Sequence, residues 1–347
     1  MNELKADRFD PMTPAISYRK IELIIKRFPR QRLLVIGDIM LDQFIWGTAS
    51  RISPEAPVPV VRIERETVHL GGAGNVVHNL VSLGAQARPF GIIGGDEAGE
   101  RLVKAMHNLG VDTSGLLKDA SRPTTLKTRI IAHNQQVVRA DRESRQPVSQ
   151  ELTDRLAALV ANGLSQSDGL IVSDYDKGGI TPPLLQQILP LARQAGKPIF
   201  IDPKIRNFKY YSPVTMLKPN QRETENVTQI EITNEETLVE AGRAILRLLR
   251  CEHLLITRGE AGMTLFSGTD QIAHIPAATR EVYDVTGAGD TAMATLGLAF
   301  ASGATALEAA ILANYAASVA IAKVGTATVS QEELLKAIAD CGLQIAD

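Results

Sequence analysis

The chain has 347 residues, 44% of them hydrophobic and 22% charged, with a formal net charge of −2; this supplies a large core and argues against disorder. So balanced a charge gives no polyanion-binding surface, so nucleic acid is not an expected partner. Cys251 and Cys341 are the two cysteines, and with no CxxC and no clustered histidine they suggest neither a disulfide framework nor a zinc site, which suits a reducing cytoplasm.

Met1 to Arg8 is polar and lacks the apolar core of a signal peptide. From Ile16 to Arg27 the residues Ile21, Ile24 and Ile25 recur at helical spacing, so a helical extension is expected over about 14–30. Leu33-Leu-Val-Ile-Gly37 then reads as a buried strand, and Asp38 closes it at the end where ligands of open α/β sheets sit. Phe44 to Leu70 and Thr125 to Asp141 show one polar face each, so lid segments over about 42–70 and 122–142 are expected to form a small projecting sheet of antiparallel strands.

Apolar runs recur at Gly169-Leu-Ile-Val-Ser173, Pro198-Ile-Phe-Ile-Asp202 and His253-Leu-Leu-Ile-Thr257, with amphipathic segments over 152–164, 183–195 and 235–250 between them. That alternation predicts an α/β fold with a doubly wound, mostly parallel sheet, taken as a single domain over 1–347. Thr291 to Val324 is the most apolar stretch, but Ser302-Gly303, Glu308 and Asn314 interrupt it. Two buried helices suit it better than a membrane span.

Asp38, Gly71, Gly72 and Asn75 are candidates for holding a polyol, because the glycines of Gly71-Gly-Ala-Gly-Asn75 admit a ligand to the main chain and an amide both donates and accepts. A turn for Asp38 and a cap for Asn75 are the simpler uses. In Lys218-Pro-Asn-Gln-Arg-Glu223, Asn220 and Glu223 spell a capping box, or alternatively organise water and Mg²⁺ around nucleotide phosphates. Thr257, Arg258, Gly259 and Gly262 offer a hydroxyl, a guanidinium and open main chain, suited to phosphate and a flat base.

Asp284-Val-Thr-Gly-Ala-Gly-Asp290 sets Gly287, Ala288 and Gly289 at the start of an Ala- and Leu-rich helix, where accessible amides and the helix dipole favour an anion. A carboxylate beside an anion hole marks Asp290 as a candidate base, with a capped tight turn as the structural alternative.

These four motifs, in this order from about Leu33 to Leu335, resemble the ribokinase-like (PfkB) carbohydrate kinases. A closer likeness within the family is to kinases acting on D-glycero-β-D-manno-heptose 7-phosphate. It rests on Gly37-Asp-Ile-Met-Leu-Asp42, 50–60, Ser173-Asp-Tyr-Asp-Lys-Gly178, Ile201-Asp-Pro-Lys204 and Val324-Gly-Thr-Ala-Thr-Val-Ser330.

The resemblance implies a three-layer ribokinase-like fold, ATP with Mg²⁺, and Asp290 as base for an anomeric hydroxyl attacking the γ-phosphate. It further implies a monovalent cation such as K⁺ at Asp284 and Thr286, with Gly325 a weaker candidate. A phosphorylated sugar needs cations, for which Lys127, Arg139 and Lys177 are available. Trp46, Ile52, Val58, Val60 and Ile63 crowd the lid, so a homodimer through the lid is expected. The kinase pattern ends close to the last residue, so no nucleotidyltransferase domain is expected. The rivals are another kinase of the family, acting on ribose, a fructose phosphate or a nucleoside, and a sugar-binding protein without catalysis.

Overall fold

A computed structural model describes residues 17–133, 135–268, 271–278, 282–323 and 325–340. The polar Met1 to Arg8 stretch, positions 14–16 of the expected extension, Val324 and Cys341 lie outside the described residues. In chain order the strands are β1 Arg32–Gly37, β2 Ile39–Ile52, β3 Pro59–Gly72, β4 Gln86–Gly94, β5 Leu116–Asp119, β6 Thr125–Ala132 and β7 Gln135–Arg142, followed by β8 Gly169–Ser173, β9 Ile199–Asp202, β10 Met216–Leu217, β11 His253–Thr257, β12 Met263–Ser267 and β13 Gln271–Ile275. The helices are α1 Tyr18–Ile25, α2 Ala73–Ser82, α3 Glu97–Asn108, α4 Gln150–Leu164, α5 Pro182–Gln194, α6 Gln221–Thr228, α7 Glu235–Leu249, α8 Ala288–Ala301, α9 Ala306–Ile321 and α10 Gln331–Asp340.

The large sheet has nine strands in the order β13-β12-β11-β10-β9-β8-β1-β4-β5. Every pairing from β11 to β5 is parallel, and β12 and β13 add an antiparallel edge. Strands β1, β8 and β9 are apolar on both faces because helices cover both. One core joins α1, α2, α3, α8, α9 and α10 to one face of the sheet; a second joins α4, α5 and α7 to the other. The three layers and the doubly wound, mostly parallel sheet are as the sequence predicts.

The described part of the extension is one helix of eight residues and a short 3₁₀ turn at Phe28–Arg30. Helices α8 and α9 are buried nearly all round, which is why their composition resembles a membrane span. Among the described residues no helix is long and apolar enough to cross a membrane.

The projecting sheet has four strands in the order β3-β2-β6-β7. One feature differs from expectation: β2 and β6 pair in parallel, and only the two outer pairings are antiparallel. The lid is thus two β-ribbons joined along β2 and β6, which brings Lys127 beside Asp42 and Arg129 beside Phe44. Its first strand starts two residues after β1, so the lid is anchored directly above the sheet end that carries Asp38.

Candidate active site

The carboxyl ends of β1, β8, β9, β10 and β11 bring Asp38, Asp174, Asp202, Lys218 and Thr257 to one edge of the large sheet, the edge where open α/β folds bind ligands. Helix α8 begins over that edge, with Gly287 at its N-cap at φ 83°. Only glycine fits there, since a Cβ would fall 2.7 Å from Asn75 Nδ2. The N–H of Ala288 bends back to the Val285 carbonyl at 3.3 Å, while Gly289 and Asp290 lie in the first turn, whose amides have no intrahelical acceptor.

Asp290 is 3% exposed. Its Oδ2 accepts from Asn75 Nδ2 at 2.9 Å and its Oδ1 from the Tyr175 hydroxyl at 2.7 Å. Burial pushes its carboxyl up to about 6 despite both donors, with Asp202 adding to the rise and Lys218 opposing it. That suits a base near neutral pH. Lys218 is 3% exposed, pairs with Asp202 at 3.1 Å, and lies 3.7 Å from the point a Cβ of Gly289 would take.

Asn75 and Asp38, the pair that the sequence offers for holding a polyol, both bond within the protein. Asn75 is fully buried in α2, its amide nitrogen on Asp290 and its oxygen accepting from Asn79 at 3.2 Å. Asp38 is likewise engaged within the protein: Oδ2 accepts from the N–H groups of Tyr175 and Lys177 at 2.8 and 3.1 Å, and Oδ1 from Gly179 at 3.0 Å. Burial and the nearby Asp174 push its carboxyl to about 6. Gly179 permits this approach, since a Cβ there would lie 2.7 Å from Asp38 Oδ1, while Gly72, at φ 55°, lets the chain pass the Asp38 carbonyl oxygen and Gly71 leaves room for the Asp42 carboxylate.

A cavity of about 550 Å³ opens beside α8 and is lined by Thr257, Gly259, Gly262, Ala288, Gly289 and Asn314 among others. Ala277, Val282, Val285, Ala317 and Ile321 make its walls largely apolar, as a flat base requires. It meets the start of α8 at Ala288 and Gly289, next to Asp290 in the first turn. Arg258 is not among the lining residues, and its Nε is buried with no hydrogen-bond partner among the described residues.

Asn220 and Glu223 form the capping box of α6, at 2.9 and 3.0 Å, and the second oxygen of Glu223 pairs with Lys204. Among the described residues no three His, Cys, Asp or Glu side chains converge as a metal cage. Asp202 and Glu223 instead suit a hard cation that arrives on the nucleotide phosphates and keeps its waters. Asp284 Oδ1 accepts from the Thr286 N–H at 2.9 Å and Oδ2 from the Gly325 N–H at 3.0 Å, tying two loops together beside the anion hole.

Of the three cations expected for a distal phosphate, two are already paired. Lys177 meets Glu143 at 2.6 Å, and Arg139 meets Asp141 at 2.9 Å on the exposed strand β7. Lys127 has no ion-pair partner among the described residues and lies 5.3 Å from the Tyr175 ring centroid. Burial pulls its ammonium below the usual lysine range, so an incoming dianion would relieve a cost already present.

Tyr175, Asp202, Lys204 and Lys218 were not singled out from sequence, although each stands inside or beside a motif noted there. The usable signal was position: all follow or close strands at the edge where Asp38 sits.

The bifunctional protein HldE of Pelobacter propionicus is 46% identical over 321 residues, covering 92% of this chain and 66% of that protein. The protein of the same name from Geobacter metallireducens is 46% identical over 90% of this chain and 64% of its own length. The chain therefore spans just under two thirds of the curated relatives it matches. Among solved structures, Arabidopsis thaliana ribokinase complexed with ribose and ATP aligns with a TM-score of 0.70 at 18% identity, over 89% of this chain and 98% of the other. Escherichia coli phosphofructokinase-2 in complex with potassium aligns at 0.73 and 18% identity, over 90% and 98%. Residues 30–333 match the pfkB family of carbohydrate kinases, and the chain belongs to that family.

Proposed function

We propose that this carbohydrate kinase phosphorylates the anomeric hydroxyl of D-glycero-β-D-manno-heptose 7-phosphate, giving the 1,7-bisphosphate and ADP for the synthesis of ADP-heptose. The observation that carries the chemistry is Asp290, a buried carboxylate raised to about 6, standing where the nucleotide cavity meets the start of α8. The substrate rests on the identity to the bifunctional HldE proteins over most of this chain and on Lys127 at the lid, which forms no ion pair among the described residues and lies over Tyr175.

In the transfer, Asp290 takes the proton of the anomeric hydroxyl as its oxygen bonds to the γ-phosphorus. The bond from that phosphorus to the bridging oxygen breaks and ADP leaves with the electron pair. The open amides of the first turn of α8 and the Lys218 ammonium face the charge that spreads over the transferring group. Mg²⁺ bound with the nucleotide would supply charge neutralisation on the phosphates, and Asp202 and Glu223 would hold its waters. Asp284 and Thr286 frame the loop in which a monovalent cation would sit, and the dependence of turnover on K⁺ tests that placement.

Asp38 and Asn75 support the sugar end through the loop and the base that they hold, while Gly71 and Gly72 open the main chain beside it. Two copies pair through their lids, because Ile52, Val58, Ile63, Val137 and Val138 are exposed on the small sheet. Release of ADP across free and phosphorylated heptose, ribose, fructose 6-phosphate and a nucleoside tests the substrate. Preference for heptose 7-phosphate supports it; equal use of free sugars removes it.

A further inference from the structure

With Asp290 as base, nothing yet explains why a phenol occupies the same spot. Tyr175 and Asn75 grip the Asp290 carboxylate at its two oxygens, from the loop after β8 and from α2. Tyr175 is itself fixed at several points. Its N–H donates to Asp38, as do those of Lys177 and Gly179. The same loop is held a second time through Asp174, whose Oδ1 accepts from the Asp176 N–H at 2.7 Å and whose Oδ2 accepts from Asn207 and Tyr211 at 2.7 and 2.5 Å. The Lys127 and Lys204 ammonium groups lie 5.3 and 5.6 Å from the Tyr175 ring centroid.

We propose that Tyr175 is a positioning residue for phosphoryl transfer: its hydroxyl sets the orientation of the Asp290 carboxylate, and Asp38 sets Tyr175 through the main chain of residues 175–179. This rests on Asp290 being the base. It gives the buried Asp38 a purpose that direct contact with sugar does not require. A donor that bonds the ionised carboxylate favours that form, so Tyr175 also holds Asp290 ready to accept a proton. Burial, Asp290, Asp202 and Asp42 keep the phenol itself protonated, well above its usual range, so it acts as a donor at all working pH values. The other charges facing the pair are Lys218, Lys127 and Lys204, and none is altered by removing the hydroxyl.

The test compares the pH profile of kcat/KM for sugar in the parent protein, in Tyr175→Phe and in Asp290→Asn. The phenylalanine variant is expected to move the acid limb upward by about one to two pH units, the worth of one hydrogen bond to a charged group, with ATP affinity unchanged. Should that variant fold poorly, 3-fluorotyrosine incorporated at position 175 keeps the ring and makes a stronger donor, so the limb should move to lower pH. A limb unmoved in the folded variants would overturn the role of Tyr175 while leaving the base in place. Near-normal turnover of Asp290→Asn would instead remove the base, and with it the reading on which Tyr175 depends.

Discussion

At Asp290 the requirements of folding and of the proposed chemistry oppose one another. A carboxylate with an ordinary value of 3.8 raised to about 6 binds its proton more tightly folded than unfolded, so its ionisation disfavours the fold by roughly a few kcal/mol above pH 6, a cost relieved as pH falls from 6 toward 3.8. Asp290→Asn should therefore melt higher than the parent at pH 8, with the gap in Tm closing below about pH 6. The same substitution should cost about 10²–10⁴ in turnover, the range for a lost general base, while calorimetry shows ATP still bound. For the parent, activity should fall as pH drops through about 6, because the base is then protonated. A variant that melts no higher but turns over normally would make Asp290 a helix-start residue and nothing more.

Elements decide which of two plausible roles a residue takes. Asn220 and Glu223 were legible as either a capping box or metal ligands, and the box is formed in full. Glu223→Ala should lower stability by about 1 kcal/mol through the cap and also raise the Mg²⁺ concentration needed for half-maximal rate more than the KM for sugar. An effect confined to Tm would reduce Glu223 to its cap. Apolar runs ending at Gly37, Ser173, Asp202 and Thr257 made the sheet legible, since strands covered on both faces have a simple pattern. The parallel join of β2 to β6 was not, because alternation reports a polar face and not the partner that lies beside it. Nor does spacing reveal that Asn75 and Asp290, 215 positions apart, share a hydrogen bond, or that Glu143 claims Lys177. Candidate residues could thus be named from motifs, while their division into groups that face ligand and groups that hold others needed the fold.

At the scale of the molecule, the proposed dimer and the proposed phosphate pocket both fall on the small sheet. Its exposed apolar side chains lie on β2, on β7 and in 58–63, away from the buried roots of β2 and β3, so a dimer is expected in sedimentation at micromolar concentration. Ile63→Glu should shift it to monomer, and a monomeric parent would count against pairing through the lid. The lid also carries Lys127, which forms no ion pair among the described residues although Asp42 and Asp141 stand across from it on the neighbouring strands. Lys127→Ala should raise the KM for the phosphorylated sugar at least tenfold, as loss of a charge-assisted contact implies to order of magnitude, and leave that for ATP nearly unchanged. Lys177→Ala should do less, since it breaks a pair with Glu143 before it touches substrate. The most direct measurement is kcat/KM of the unaltered protein for heptose 7-phosphate beside free heptose, read as ADP released with Mg·ATP. A preference of about 10² or more for the phosphorylated sugar is expected, the scale of charge-assisted contacts to a dianion; equal efficiency on the two would contradict a phosphate pocket at the lid and the heptose 7-phosphate assignment with it.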